Sequence, residues 1–101
     1  LPHVGPPLSA GEPFPQALSD LPSRTVRIGQ PTQGVFSDVM NRKLPNGMVA
    51  WLPNEEYLNR TGHTYDGTGI PPRITEPVFT EKEFAENRDS AFDRAITSLR
   101  R

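Results

Sequence analysis

Cysteine is absent from the 101 residues, which excludes disulfides and thiolate metal sites while fitting a reducing or an oxidising compartment equally. An excess of either charge is missing too. Eleven Lys and Arg stand against 12 Asp and Glu, for a net charge of -1, so the electrostatic footprint of nucleic acid or acidic membrane binding is not there. No apolar run approaches the roughly 20 residues that cross a bilayer, and no signal peptide is visible. Any such leader would lie upstream of Leu1. The two histidines, His3 and His63, have no neighbouring ligand set, so neither a metal nor another cofactor is expected.

Hydrophobic residues are also scarce, at 34%, and 12 prolines interrupt their runs. A chain of this size buries only about two-thirds of its unfolded surface, so the core is expected to be thin for an independent fold. The start at Leu1 fits a fragment or a processed product.

Against these absences stands Ser9-Ala10-Gly11-Glu12. Ser9 lies where an extended approach should turn into a helix, beside free backbone N–H groups and the positive end of the helix dipole, which is good ground for a nucleophile. The same four residues spell a capping box, in which Ser9 would accept from the Glu12 N–H while the Glu12 side chain reaches back, worth about 1 kcal/mol. On spacing alone the box is the commoner meaning. The apolar residues Phe14, Ala17, Leu18 and Leu21 follow at helical spacing and predict a helix with one buried stripe. Pro15 would cost about 3 kcal/mol in a helix interior, so the helix is expected to start as late as Pro13.

Thr25-Val26-Arg27-Ile28 reads as a short strand ended by Gly29. Gln30-Pro31-Thr32-Gln33-Gly34 reads as a turn; it could cradle an anion but lacks the lysine and hydroxyl of a phosphate loop, and a plain tight connection is preferred. Val35 to Lys43 and Met48 to Leu52 predict two strands joined at Leu44-Pro45-Asn46-Gly47, whose Asn-Gly pair suits a tight hairpin. Phe36, Met40 and Leu44 share one face. The wholly apolar Met48 to Leu52 predicts burial on both sides, with Trp51 in the core. Further on, Asn59-Arg60-Thr61 forms a glycosylation sequon that has meaning only in a eukaryotic secretory setting. The glycines of Tyr65-Asp66-Gly67-Thr68-Gly69-Ile70 allow close backbone approach, and Asp66-Gly67 alone is an ordinary turn signal. The tail, residues 80–101, is expected to be helical, with a capping box at Thr80 to Glu83, a second cap between Asn87 and Asp89, and an apolar stripe of Phe92, Ile96 and Leu99.

Ser9-Ala10-Gly11-Glu12, Arg24-Thr25-Val26-Arg27-Ile28-Gly29-Gln30-Pro31-Thr32-Gln33-Gly34, Leu44-Pro45-Asn46-Gly47 and Tyr65-Asp66-Gly67-Thr68-Gly69-Ile70-Pro71-Pro72 occur in the order found in tail-specific, or C-terminal processing, serine peptidases. The chain resembles most the branch holding the tricorn core and the interphotoreceptor retinoid-binding protein repeats, over about residues 8–99. The resemblance implies an α/β fold, a small mixed sheet with flanking helices, as the C-terminal part of a ClpP/crotonase-like peptidase domain, with residues 1–8 as an irregular lead-in. It also implies an extracytoplasmic setting, a peptide or protein substrate, and the remainder of the peptidase domain as partner.

By the same resemblance Ser9 would be the nucleophile and the Ala10 N–H an oxyanion donor. Asp66 would be a supporting carboxylate where the family usually has Glu, shorter in reach by roughly 1.5 Å. The serine–lysine branch carries its lysine where this chain has Val35, so no serine–lysine dyad is encoded, and Lys43 reads as a strand-end charge. The family's base histidine matches neither His3 nor His63, and its second relay serine is likewise unmatched. The isolated chain is therefore expected to have little peptidase activity. A non-catalytic binding or scaffold module that keeps the fold is the alternative.

Overall fold

A computed structural model describes residues 6–100; His3 and most of the lead-in lie outside the described residues. Pro6 to Leu8 carry no regular structure. The chain then runs through a 3-10 turn (Ser9–Gly11), helix α1 (Pro13–Ser19), β1 (Ile28–Gly29), β2 (Val39–Lys43), β3 (Val49–Pro53), β4 (Ile74–Thr75), α2 (Glu81–Ala85) and α3 (Ser90–Leu99).

Instead of one mixed sheet there are two separate pairs: β1 with β4 in parallel, and β2 with β3 antiparallel. The expected strand over 25–28 shrinks to Ile28–Gly29, and proline on either side of these short strands denies the ladder its donors. The hairpin is in register from Val39 opposite Pro53 to Lys43 opposite Val49, closed by Gly47 at φ 82° and by the Asn46 side chain accepting from the Met48 N–H at 3.1 Å. Its first strand begins at Val39 rather than Val35, because the backbone of residues 34–36 bonds elsewhere. Lys43 is exposed at the strand end.

The expected burial of β3 is not found. Trp51 is 63% exposed and its neighbours Val49 and Leu52 are open as well; only Ala50 is half-buried. The helix stripes behave alike, with Phe14, Leu21, Phe92 and Leu99 exposed. Phe36 and Ile70 are the fully buried hydrophobic residues among those described. The radius of gyration is 17.3 Å, against about 13 Å for a compact chain of 100 residues, and the molecule is a slab 59 × 37 × 15 Å. In a layer 15 Å thick, a hairpin or a helix has no second layer to cover its apolar side. On one side Phe14, Leu18, Ile28, Ile70, Val78 and Phe79 line an open apolar groove of about 790 Å³.

Pro13 and Pro15 both fall in the first turn of α1, where backbone N–H groups have no intrahelical acceptor, so neither proline breaks a bond. At the other end of the chain the Thr80 capping box is formed, and Asn87 at φ 51° ends α2, with Asn87 N–H on the Phe84 carbonyl and Arg88 N–H on that of Glu83, a Schellman closure. Asp89 caps α3 by accepting from the Phe92 N–H at 2.9 Å.

Glu83 is the joint between these helices. One carboxylate oxygen accepts from the Thr80 N–H at 3.1 Å and the other from the Ser90 N–H at 3.0 Å and its hydroxyl at 2.5 Å. The Ser90 hydroxyl first, then the Ser90 and Thr80 amides, hold its pKa at about 2, below the ordinary 4.5. Because the folded value lies below the unfolded one, the stability this group contributes is complete above pH 4.5 and is lost as pH falls towards 2. An NMR titration of the Glu83 carboxyl carbon is expected to give a midpoint near 2, and Glu83→Gln is expected to remove that part of the acid dependence. A midpoint near 4.5 would mean that the carboxylate does not hold this corner.

Candidate active site

The segment Gln33 to Phe36 is the axis on which two others, Pro7 to Glu12 and Tyr65 to Gly69, converge. The Gln33 N–H donates to the Pro7 carbonyl at 2.9 Å, the Ser9 N–H to the Val35 carbonyl at 2.7 Å, and the Gly67 N–H to the Gly34 carbonyl at 2.7 Å. The Gly34 and Val35 N–H groups donate to the two carboxylate oxygens of Glu12, at 2.6 and 2.7 Å. Each such bond to a charged acceptor contributes about 1.5–3 kcal/mol. Glu12 has no exposed surface at all.

This arrangement corrects the reading of Ser9 to Glu12 as a capping box. The 3-10 turn has Leu8 as its cap, with no side-chain bond, and α1 likewise has no side-chain cap. The Glu12 carboxylate has left the Ser9 N–H for two amides 22 and 23 residues away. It also corrects the reading of the 30–34 turn as a plain connection: the loop does cradle an anion, and the anion is a side chain of the same molecule. Glu12 is the site residue that sequence reasoning missed, since its spacing from Ser9 suited the cap.

Ser9 follows an extended Leu8 (φ -140°, ψ 162°) and takes φ 49° itself, a left-handed conformation that costs a non-glycine residue roughly 1–2 kcal/mol. The chain then enters the 3-10 turn and α1. A sharp strand-to-helix turn with the serine in a strained conformation is the geometry that exposes a nucleophilic hydroxyl. The hydroxyl bonds to no described group, and Ser9 is half-buried. The next amide, that of Ala10, has no acceptor among the described residues either, and Ala10 is exposed.

Asp66 reaches the same axis from the other side. Its Oδ1 lies 3.5 Å from the Phe36 N–H, at the limit of a hydrogen bond. The Val35–Phe36 peptide therefore takes the Ser9 N–H at its carbonyl and offers its own N–H to Asp66. Carbonyl and N–H of one trans peptide point in opposite directions, so Ser9 and Asp66 flank the segment and are not bonded to each other. His63 is exposed and stands edge-on to Tyr65, ring centres 5.1 Å apart. Among the described residues no group of three or more metal-ligating side chains forms a site, and no helix is long and apolar enough to cross a membrane.

The family model of peptidase family S41 matches residues 7–76, from just before the serine turn to the end of β4. The chain belongs to peptidase family S41. The axis and both segments that converge on it fall inside the match, while α2 and α3 of the S41 chain lie beyond it. No curated protein matches this S41 chain. Membership makes it a serine-peptidase family fragment, with peptides or proteins as the substrate class that the family suggests.

The loops of this S41 site meet without room for a side chain between them. A Cβ on Gly69 (φ 77°) would stand 1.9 Å from the Thr32 carbonyl oxygen, whereas one on Gly62 (φ 79°) would meet nothing within 4 Å. Both substitutions to Ala carry left-handed strain, and only the first also drives two backbones apart. Gly69→Ala is expected to lower stability by roughly 3 kcal/mol and Gly62→Ala by roughly 1, compared by urea unfolding. Equal losses would show that the contact between the 32 and 69 loops is not a constraint.

Proposed function

We propose that the chain is the C-terminal portion of the catalytic domain of a tail-specific serine endopeptidase, in the branch of the tricorn core, with a ClpP/crotonase-like parent fold. Ser9 attacks the scissile carbonyl and the Ala10 N–H donates to the oxyanion that forms, a kind of donor whose loss costs about 2.7–4 kcal/mol. The observation that carries the reading is the left-handed Ser9, set between an extended approach and a helical turn and followed directly by an amide with no acceptor among the described residues. A strained residue of this kind persists only where surrounding bonds over-determine it. Asp66 is a weaker member: its carboxylate is spent at least partly on the Phe36 amide, and a role in orienting the base requires that contact to be given up. The exposed faces of α1, α3 and the hairpin fit surfaces covered by the remainder of the peptidase domain.

The general base comes from that remainder, because no contact among the described residues brings His63 to Ser9 and no dyad lysine stands at Val35. The chain alone is accordingly a poor peptidase. One observation favours the second reading, a binding or scaffold module: the described residues bring no base to the Ser9 hydroxyl.

A fluorophosphonate probe separates the two. The chain alone is expected to label slowly, imidazole in the buffer to accelerate labelling by supplying a base, and Ser9→Ala to abolish it. A folded chain that stays unlabelled with imidazole present would overturn the peptidase reading in favour of the module.

A further inference from the structure

The sequence Ser9-x-x-Glu12 has two ways to satisfy itself, and they exclude one another. In a capping box the Ser9 hydroxyl accepts from the Glu12 N–H and the Glu12 carboxylate accepts from the Ser9 N–H. Both groups of Ser9 would then be consumed within one turn. In the structure neither bond exists. The Glu12 N–H donates to the Ser9 carbonyl at 2.9 Å and the Ser9 N–H to the Val35 carbonyl at 2.7 Å, while the Glu12 carboxylate is taken by Gly34 and Val35.

We propose that Glu12 is a positioning residue for Ser9: by bridging the Gly34 and Val35 amides, its buried carboxylate holds the serine turn in the left-handed, uncapped form. The atoms involved form one closed path. Glu12 fixes the Val35 N–H at 2.7 Å; the carbonyl of the same residue receives the Ser9 N–H; and three residues of 3-10 turn return the chain from Ser9 to Glu12. Ser9 therefore sits inside a loop tied at the Glu12 end by charge-assisted bonds and at the Ser9 end by a backbone bond to the Val35 carbonyl. Gly34 makes the tie possible, since at φ 82° it aims successive amides at one carboxylate, and a Cβ there would stand 2.6 Å from the Gly69 nitrogen.

Two features distinguish this role from plain burial. The first is what stands against the carboxylate: both of its oxygens meet N–H donors, so an amide side chain of the same shape would put an N–H₂ against one of them. The second is the competitor, because a Glu12 that loses its distant partners has a local one waiting. Removing the clamp does not merely loosen Ser9; it converts Ser9 to a cap, with φ negative and the hydroxyl occupied. The inference depends on the peptidase reading only for its consequence in chemistry, and its conformational content stands apart from it.

The test uses the whole 101-residue chain, with Glu83→Gln as a control that weakens a buried carboxylate joint elsewhere. In the wild type, Ser9 is expected to give the strong intraresidue N–H to Hα NOE of a left-handed residue, and the amides of Ser9, Gly34 and Val35 to exchange with solvent in one common opening. In Glu12→Gln that NOE is expected to vanish and the protection of the three amides to fall by about ten- to a hundred-fold, with both signals kept in Glu83→Gln. Imidazole-assisted fluorophosphonate labelling of Ser9 is expected to slow by at least about ten-fold in Glu12→Gln alone.

A left-handed Ser9 that survives Glu12→Gln overturns the proposal, and so does labelling at the wild-type rate in that variant. Should Glu12→Gln fail to fold, the wild-type exchange decides: a Ser9 amide that opens independently of Gly34 and Val35 overturns the proposal, and a common opening supports it. If wild-type Ser9 never labels but its left-handed signature still requires Glu12, the peptidase reading fails and the positioning role stands.

Discussion

A single carboxylate with no solvent exposure, that of Glu12, is the constraint on which the centre of this molecule depends. Burying an ionised carboxylate is costly unless its lone pairs are met, and the backbone at Gly34 and Val35 meets them with two short bonds. Those bonds fix the 33–36 segment, which in turn receives the serine turn from one side and the Tyr65 to Gly69 loop from the other. With so few apolar residues out of water, backbone amides joined to a charged side chain do here what a hydrophobic core does in thicker domains.

The same device recurs at Glu83, where one carboxylate gathers the cap of α2 and the first residue of α3. In both places a glutamate placed early in a helical segment is drawn away from, or beyond, its nearest amide to tie a second element. At Glu83 the local capping box survives and the long-range bonds are added to it. At Glu12 the local box is given up. The difference lies in the partner: Ser90 offers a hydroxyl and an amide to the oxygen that Thr80 leaves free, whereas Gly34 and Val35 offer two parallel amides that occupy both oxygens. That choice leaves the Ser9 hydroxyl and the Ala10 amide without partners among the described residues, as the proposed acyl-transfer role requires.

The family was legible because it resides in short motifs whose order survives without a structure, and the S41 match spans the same loops. The Asn46-Gly47 hairpin, the Thr80 capping box and the Asp89 cap were legible for a different reason: each is a contract between residues no more than four apart. Burial was not legible. Met48 to Leu52 has the composition of a strand covered on both faces, and Phe14, Leu18 and Leu21 that of a helix against a core. Composition records that an apolar face is to be covered but not what covers it, and a slab 15 Å thick has no second layer to do so.

By itself, then, the sequence determined the local turns and caps, the absence of disulfide and thiolate chemistry, and the family ancestry of the serine motif, since each depends on neighbours along the chain or on residue type alone. Only the tertiary structure decided where the Glu12 carboxylate goes, and with it the conformation of Ser9, the anion-holding role of the Gly34 loop and the separation of Ser9 from Asp66 across one peptide. These rest on amides more than 20 residues distant. No spacing rule can weigh them against a cap three residues away, because the balance is set by desolvation and by how closely Gly34 and Gly69 allow two backbones to approach.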